Sequence, residues 1–429
     1  MSRAEAQPRE KSKPLGRDFS IYWFGQAISV MGTAFTQYGL PLLVFRLTGS
    51  ALNLAFSQIS VYLPYVLFGL FIGAWTDRMD RKRMLIWVNA LRGATIALIP
   101  LLALFGEINV YLVYVVSFIN SVLAVFAGAA QSAVIPSLVE KDQLITANGR
   151  ITLTESIAKV GGPILAGVLI SFVPVETIFL VDSISFFLIA ISLFFIRASF
   201  NQAHPADSKP AEKNVLREIK EGLDFLKQQK VVLSATMLAT LANLLMITAA
   251  TQQITLVKRE FQATDQQVSL MFAASGVGAI IFSFLVNRLP KRWGFGRIAI
   301  FSQMIIGVLV LILGSVPIFL LAPLLSVFIS GCNVIFNIQF TSLVQLCVPN
   351  RLLGRVSSTI LVLAFVAIPV GSLVGGSAIE WSGHVGLVYQ VTGVLMVIMT
   401  ASFLFTPLNR PQSYNMDIVA AKEAKPSQG

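Results

Sequence analysis

Twelve apolar stretches, most of them 20 residues or longer, follow one another along this chain of 429 residues, and that repetition leaves little choice of fold. As a helix, roughly 20 apolar residues cross about 30 Å of hydrocarbon. Inside hydrocarbon the backbone must satisfy its own hydrogen bonds, which leaves helices or a closed barrel. The strand alternation of a barrel is missing. The stretches run over about 19–46, 53–76, 84–105, 109–136, 147–172, 176–197, 231–257, 266–288, 296–314, 317–346, 357–380 and 386–408. With 55% hydrophobic and only 12% charged residues, the remainder cannot clothe a water-soluble globule. The expected fold is therefore an all-α integral membrane protein with twelve transmembrane helices.

The formal charge of +11 raises a nucleic-acid reading, which the distribution of the cations excludes. Arg78, Arg81, Lys82, Arg83, Lys141, Arg150, Arg288, Lys291, Arg292, Arg351 and Arg355 follow even-numbered spans, whereas the opposite loops hold chiefly Arg46, Lys258 and Arg259. The positive-inside rule places both termini and the central loop in the cytoplasm of a cell whose plasma membrane the chain spans many times. Residues 1–18 form a polar cytoplasmic arm without the apolar core of a signal peptide, and 409–429 form a cytoplasmic tail.

The one long polar insertion, 198–230, separates spans 1–6 (19–197) from spans 7–12 (231–408). Its second part, Val215 to Lys230, gathers Leu216, Ile219, Leu223 and Leu226 on one face, which predicts an amphipathic helix lying on the membrane or bracing the two halves.

The halves echo one another. Gly73, Asp77, Arg78, Arg81 and Lys82 close span 2 at offsets that Ser283, Asn287, Arg288, Lys291 and Arg292 repeat after span 8, without the acid. Gly162, Pro163 and Gly167 in span 5 are matched loosely by Pro369, Gly371 and Gly375 in span 11, each set combining a proline kink with small residues for close, movable packing. With six-plus-six spans and the Gly73–Arg83 motif, the chain resembles the major facilitator superfamily over nearly its whole length. The runs Leu47–Ala51, Leu144–Arg150 and Val181–Phe186 resemble its branch of macrolide-efflux proteins and the enterobactin exporter.

The resemblance implies two six-helix bundles, proton-driven export of a small amphipathic molecule by alternating access, a mid-membrane cavity nearest spans 1, 4, 7 and 10, and a working monomer among membrane lipids. It further implies that Asp77 locks one conformation against the cytoplasmic end of span 11, near Arg355, while Arg78 and Arg81 pair with acids or lipid headgroups. It puts spans 3 and 6 on the outside of each bundle, where Arg92 and Asp182 would serve packing. Where relatives of the branch carry an acid after a span 1 glycine, this chain has Gly32-Thr33.

Ionisable groups inside spans are costly and so mark function. Glu155 and Lys159, one turn apart on span 5, are placed to neutralise each other. Counting about 1.5 Å per residue brings Lys159 and Asp182 to a similar depth. Glu155, Lys159 and Asp182 are thus expected to form a proton-exchanging network, with Glu155 the carrier because desolvation favours a neutral carboxyl. Gln26, Thr36, Gln37, Tyr38, Asn120, Gln131, Asn243, Gln252, Asn333, Asn337 and Gln339 are candidates for the cavity, with Phe35, Phe126, Phe336 and Phe340 as aromatic walls. No arginine pair on the central spans is evident to clamp an anion.

Metal and redox chemistry are not expected, since the two histidines, His204 and His384, lie near loops and the two cysteines, Cys332 and Cys347, lack metal spacing. No phosphate-binding loop or nucleophile–histidine constellation points to an enzyme or ATP-driven pump, and no cofactor is implied. A siderophore or lipid exporter, and a membrane receptor that binds without moving its ligand, are the competing readings.

Overall fold

The computed structural model describes residues 15–76, 79–131, 134–200, 224–288 and 294–410. Among them run twelve long helices: α1 Arg17–Thr48, α2 Ala51–Thr76, α3 Arg81–Leu104, α4 Val110–Gln131, α5 Leu144–Leu169, α6 Thr177–Phe195, α7 Lys230–Ala250, α8 Asp265–Leu285, α9 Phe295–Leu313, α10 Leu321–Cys347, α11 Asn350–Ser382 and α12 Val385–Ser402. Eleven helices of the described residues are long and apolar enough to cross a membrane; α5, which carries Glu155 and Lys159, is not among them. Large apolar side chains such as Trp87, Tyr111, Phe284 and Trp381 stand exposed around the bundle, as a lipid-facing surface requires.

The helices form two six-helix bundles. In the first, α1 and α3 pack on α6, α2 and α3 on α4, and α1 on α5; in the second, α8 and α9 pack on α10, α9 on α12, and α7 on α11 and α12. The broadest contacts between bundles are α2 with α11 and α5 with α8. We call the end of the molecule holding the N-terminus of α1 and the C-terminus of α6 the inner end. They are tied there by the Asp18 carboxylate, which accepts from the backbone N–H groups of Arg197 and Ala198 at 2.8 Å each. Asp18→Ala leaves both amides without that partner and is expected to cost about 1 kcal/mol of stability, read as a lower thermal midpoint in detergent.

Buried apolar residues divide unevenly between the ends. One cluster draws on both bundles and includes Leu43 and Phe179 of the first with Val268 and Met271 of the second, toward the outer end. Toward the inner end there are separate clusters: Phe19, Tyr22, Met84 and Leu193 within the first bundle, and Val232, Phe336, Val356 and Phe403 within the second. Burial at about 25 cal/mol per Å² of apolar area would favour a shared cluster wherever the bundles touch.

Span limits from sequence depart from the helices where the backbone turns. Span 4 ends at Gln131, and a short helix follows at Val134–Leu138. Span 7 stops at Ala250 and continues as Gln253–Thr255 and a π-helical turn, Leu256–Glu260. Of the expected amphipathic helix, residues 215–223 lie outside the described residues. Residues 224–228 are helical, and Leu226 is buried against Val231 and Val232 of the second bundle, not turned to lipid.

Candidate functional site

Three connected chambers run through the middle of the molecule. One lies within the first bundle, about 510 Å³ in volume, with Gln26, Ser29, Thr33, Gln37, Gln131, Glu155 and Lys159 on its wall. A second, about 420 Å³, lies between the bundles and shares Thr33, Gln37, Tyr65, Arg92 and Lys159 with the first. The third, about 310 Å³, lies within the second bundle and meets the middle one at Ser275 and Ser330. Helical periodicity builds these walls: Gln26, Ser29, Thr33 and Gln37 on α1, Asn120, Ala124 and Gln131 on α4, and Glu155, Lys159 and Pro163 on α5 recur every three, four or seven residues and so share a face.

The polar candidates distribute as follows. Gln26, Gln37, Asn120, Gln131, Asn243, Asn333, Thr36 and Tyr38 lie on chamber walls. Asn337 stands off the three walls, its amide donating to the Asn333 carbonyl at 2.8 Å and to its Oδ1 at 2.9 Å. Gln252 and Gln339 are buried. The expected phenylalanine walls are supplied by other aromatics, since Phe35 and Phe336 are buried in apolar clusters, Phe340 stacks on Phe336 and Phe126 packs against Trp75. Tyr38, Tyr62, Tyr65 and Phe272 take their place in the middle chamber.

The ionisable groups differ from expectation in two ways. Glu155 and Lys159 do not pair within 4 Å; both are exposed to the open chamber, where water removes the advantage of contact. The desolvation expected of Glu155 is likewise not met. Arg92 and Asp182, assigned to packing because of their spans, both reach the middle chamber. The Arg92 guanidinium lies 4.0 Å above the Phe186 ring, and its Nε donates to Asn120 Oδ1 at 3.1 Å. Asp182 is fully buried, and its carboxylate accepts from Thr36 Oγ1 at 2.5 Å, Ser185 Oγ at 3.3 Å and Thr33 Oγ1 at 3.5 Å. The three-residue network therefore does not form, and α1 hydroxyls take the place of Lys159.

The outer end is closed by contacts between bundles that the sequence reading missed. Arg46, near the end of α1, pairs with Asp265 at the start of α8, and Lys258 Nζ approaches Asp265 Oδ1 to 2.5 Å. Tyr38 Oη donates to the Asp265 carbonyl at 2.9 Å. Glu380, near the end of α11, accepts from Ala51 N at 2.7 Å, Ser50 Oγ at 3.0 Å and Arg259 Nη2 at 3.3 Å. It thereby caps the N-terminus of α2 from the opposite bundle, where a carboxylate complements both the unpaired amides and the helix dipole. Gly49 makes the turn from α1 into α2 with φ of 62°, a left-handed conformation that suits glycine, and Arg259 Nη2 donates to its carbonyl at 2.6 Å.

Small residues permit the close approach. A Cβ at Gly162 would lie 2.5 Å from the Ala34 Cβ of α1, and one at Gly167 would lie 2.2 Å from the Ser269 Cβ of α8. Gly371 and Gly375 abut the Leu244 and Thr248 carbonyls of α7, and Gly376 abuts Ala51 of α2. Pro163 lines the middle chamber, and Pro369 sits inside α11.

At the inner end, Gly73 lies in the last turns of α2, whereas Asp77 and Arg78 lie outside the described residues. Lys82 Nζ donates to the Ile196 carbonyl at 2.6 Å, which ties α3 to the C-terminus of α6 within one bundle, and Arg81 is engaged. Among the described residues no group of three histidine, cysteine or acidic residues is placed to hold a metal.

Two membrane-embedded bundles around a central polar chamber, joined by contacts that lie across one end, define a transporter and not an enzyme. The profile of the transmembrane secretion effectors matches residues 13–427, so the chain belongs to that family of major facilitator transporters. It is 26% identical over 359 residues to macrolide efflux protein A of Streptococcus pyogenes, covering 82% of this chain and 87% of that protein. It is 25% identical over 379 residues to the multidrug efflux pump Tap of Mycobacterium tuberculosis, covering 84% and 86%. Among solved structures, a bacterial homologue of the human lysosomal transporter Spinster, inward-facing and unoccupied, superposes with a TM-score of 0.70 at 12% identity, over 93% of this chain and 97% of that one. A bacterial homologue of the iron transporter ferroportin, inward-facing, gives 0.65 at 17% identity, over 91% and 99%.

Proposed function

We propose that this transporter is a proton-coupled exporter of amphipathic organic compounds, working as a monomer in the plasma membrane with both termini in the cytoplasm. The observation that carries the reading is the unequal closure of its two ends. One apolar cluster, the Arg46–Asp265 ion pair and hydrogen bonds of Glu380, Arg259 and Tyr38 join the bundles at the outer end, while each bundle keeps its own cluster at the inner end. With the basic loops inside, the described state is closed to the exterior, as an exporter must be when it loads from the cytoplasm.

Residues 19–197 and 231–408 then move as two bodies. The motif of Gly73, Asp77, Arg78, Arg81 and Lys82 closes the inner end in the alternate state, and the glycines and prolines of α5 and α11 let helices slide during the exchange. The chamber walls combine aromatic rings, amides and hydroxyls, which fits a sizeable amphipath better than a sugar or phosphate. The names of the two efflux relatives support drug-like cargo. Protons enter through an acid on the chamber walls, where Glu155, Lys159 and Asp182 are the ionisable groups at hand.

The test is transport of ethidium and of a macrolide by proteoliposomes under an imposed pH gradient. Gradient-dependent movement that slows about tenfold or more in Asp77→Asn, a loss of roughly 1.4 kcal/mol in gate closure, is the expected result. A correctly inserted protein that moves neither compound would return the reading to a siderophore or lipid exporter, or to a receptor.

A further inference from the structure

Partner chemistry sorts the acids of this protein into two kinds. At the outer end, Asp265 meets Arg46 and Lys258, and Glu380 meets Arg259. A cation held against a carboxylate favours its charged form. Asp182 is different: its side-chain hydrogen bonds come from hydroxyls, of Thr33 and Thr36 on α1 and Ser185 on its own helix, and no cation lies within 4 Å among the described residues. A hydroxyl both donates and accepts, so the same shell serves a carboxylate and, after rotation of the O–H bonds, a carboxylic acid. A buried charge whose nearest cation, Arg92, stands beyond ion-pair distance is only partly compensated, and binding a proton removes that cost.

We propose, building on the reading of a proton-coupled exporter, that Asp182 is the proton-binding group of the cycle, seated in a niche that α1 makes for it. The niche depends on Gly32. A Cβ there would lie 2.8 Å from Asp182 Oδ1 and 2.4 Å from Ser185 Oγ, so only glycine lets the carboxylate lie against α1 beside Thr33 and Thr36.

The charged and titratable groups around Asp182 are few. Helix α1 places the two threonines against it and Tyr38 further along the chamber wall; α3 contributes Arg92; across the middle chamber lie Tyr62 and Tyr65 of α2 and Lys159 of α5. Arg92 is held by Asn120 and the Phe186 ring, which keeps it near the carboxylate without forming an ion pair. Asp182 borders the middle chamber behind Thr33 and Thr36 of its wall, so a proton arriving there reaches it through that hydroxyl shell. Glu155 is exposed to the chamber of the first bundle and lacks such a shell of hydroxyls.

Proton binding is read without any cargo by pH-difference infrared spectroscopy of the full-length protein in lipid nanodiscs. The wild type is expected to show a carboxylic-acid carbonyl band that grows as pH falls and exchanges slowly with deuterium. Asp182→Asn should remove it, Glu155→Gln should leave it, and Thr36→Val, which deletes the 2.5 Å hydrogen bond while keeping side-chain shape, should move its frequency and titration midpoint. A band absent from the wild type, retained in Asp182→Asn, lost in Glu155→Gln or unmoved by Thr36→Val overturns the assignment. Should Asp182→Asn not fold, the Thr36→Val shift decides alone. If the wild type shows the band yet moves neither ethidium nor macrolide, the export reading fails and the proton site stands.

Discussion

Gly376→Val should abolish transport while leaving both bundles folded. Gly376 of α11 meets α2 with no side chain between them: a Cβ there would lie 2.9 Å from the Ala51 carbonyl, 3.1 Å from the Leu52 Cα and 3.1 Å from the Ala55 Cβ. Two of these contacts are to backbone, which cannot rotate aside as a side chain can. A β-branched residue must therefore separate α11 from α2, and that separation carries Glu380, one turn further along, away from the amide it caps. Inserting methyl groups into a packed contact costs about 1–3 kcal/mol. Here the cost falls on the closed outer end alone, since the alternate state parts these helices. The expected phenotype is a normally expressed protein whose outer end stays open. Gly167→Val should do the same at α5 and α8, where the Cβ would lie 2.2 Å from the Ser269 Cβ.

Arg46→Ala combined with Glu380→Ala should open the same end by removing attraction in place of adding bulk. Glu380 accepts three hydrogen bonds, and a bond to a charged group contributes about 1.5–3 kcal/mol when well buried. Glu380 and Arg46 are each 38% exposed, so screening lowers the figure, and about 1–2 kcal/mol for the two sites together is the reasonable expectation. That amounts to a roughly 5- to 30-fold shift in the balance between outer-closed and outer-open states. A cysteine at Ser57, buried on α2 and lining the middle chamber, should react with an external maleimide faster by that factor. Raising ionic strength should have little effect on the double mutant and a larger one on the wild type, because the remaining closure is apolar.

Much of this architecture was legible in the sequence because the bilayer imposes a simple rule. A helix must be long and apolar to cross it, so the twelve spans can be counted. The rule fails where helices break for function, and the interruption of span 7 by the π-helical turn at Leu256–Glu260 gives no hydropathy signal. That turn carries Lys258 and Arg259 of the outer closure, and Glu260, whose Oε1 accepts from Gly386 N at 2.9 Å. The wall residues of α1, α4 and α5 could be found because polar groups in an apolar span are few and recur at helical spacing. Which partner each one meets could not. Glu155 and Lys159 stand at the spacing of a helical ion pair, yet the open chamber keeps them apart. Asp182 is conspicuous in sequence as an acid inside an apolar span, but its contact with Thr36 links residues 146 positions apart. Asp265 and Glu380 were overlooked for a related reason: an acid at a helix end reads as an ordinary loop charge until the opposite bundle supplies Arg46 or the N-terminus of α2.

The most direct test of the two-bundle mechanism is a pair of distance distributions from spin labels, recorded on one protein across pH and with ethidium. One pair, at exposed Phe172 and Trp381, spans the outer end; the other, at exposed Ile145 and Phe405, spans the inner end. The account predicts two distances for each pair, with populations that move in opposite senses as protons or ethidium are added: the outer pair lengthens as the inner pair shortens. Distances that stay fixed at both ends, or that lengthen at both ends together, would contradict it.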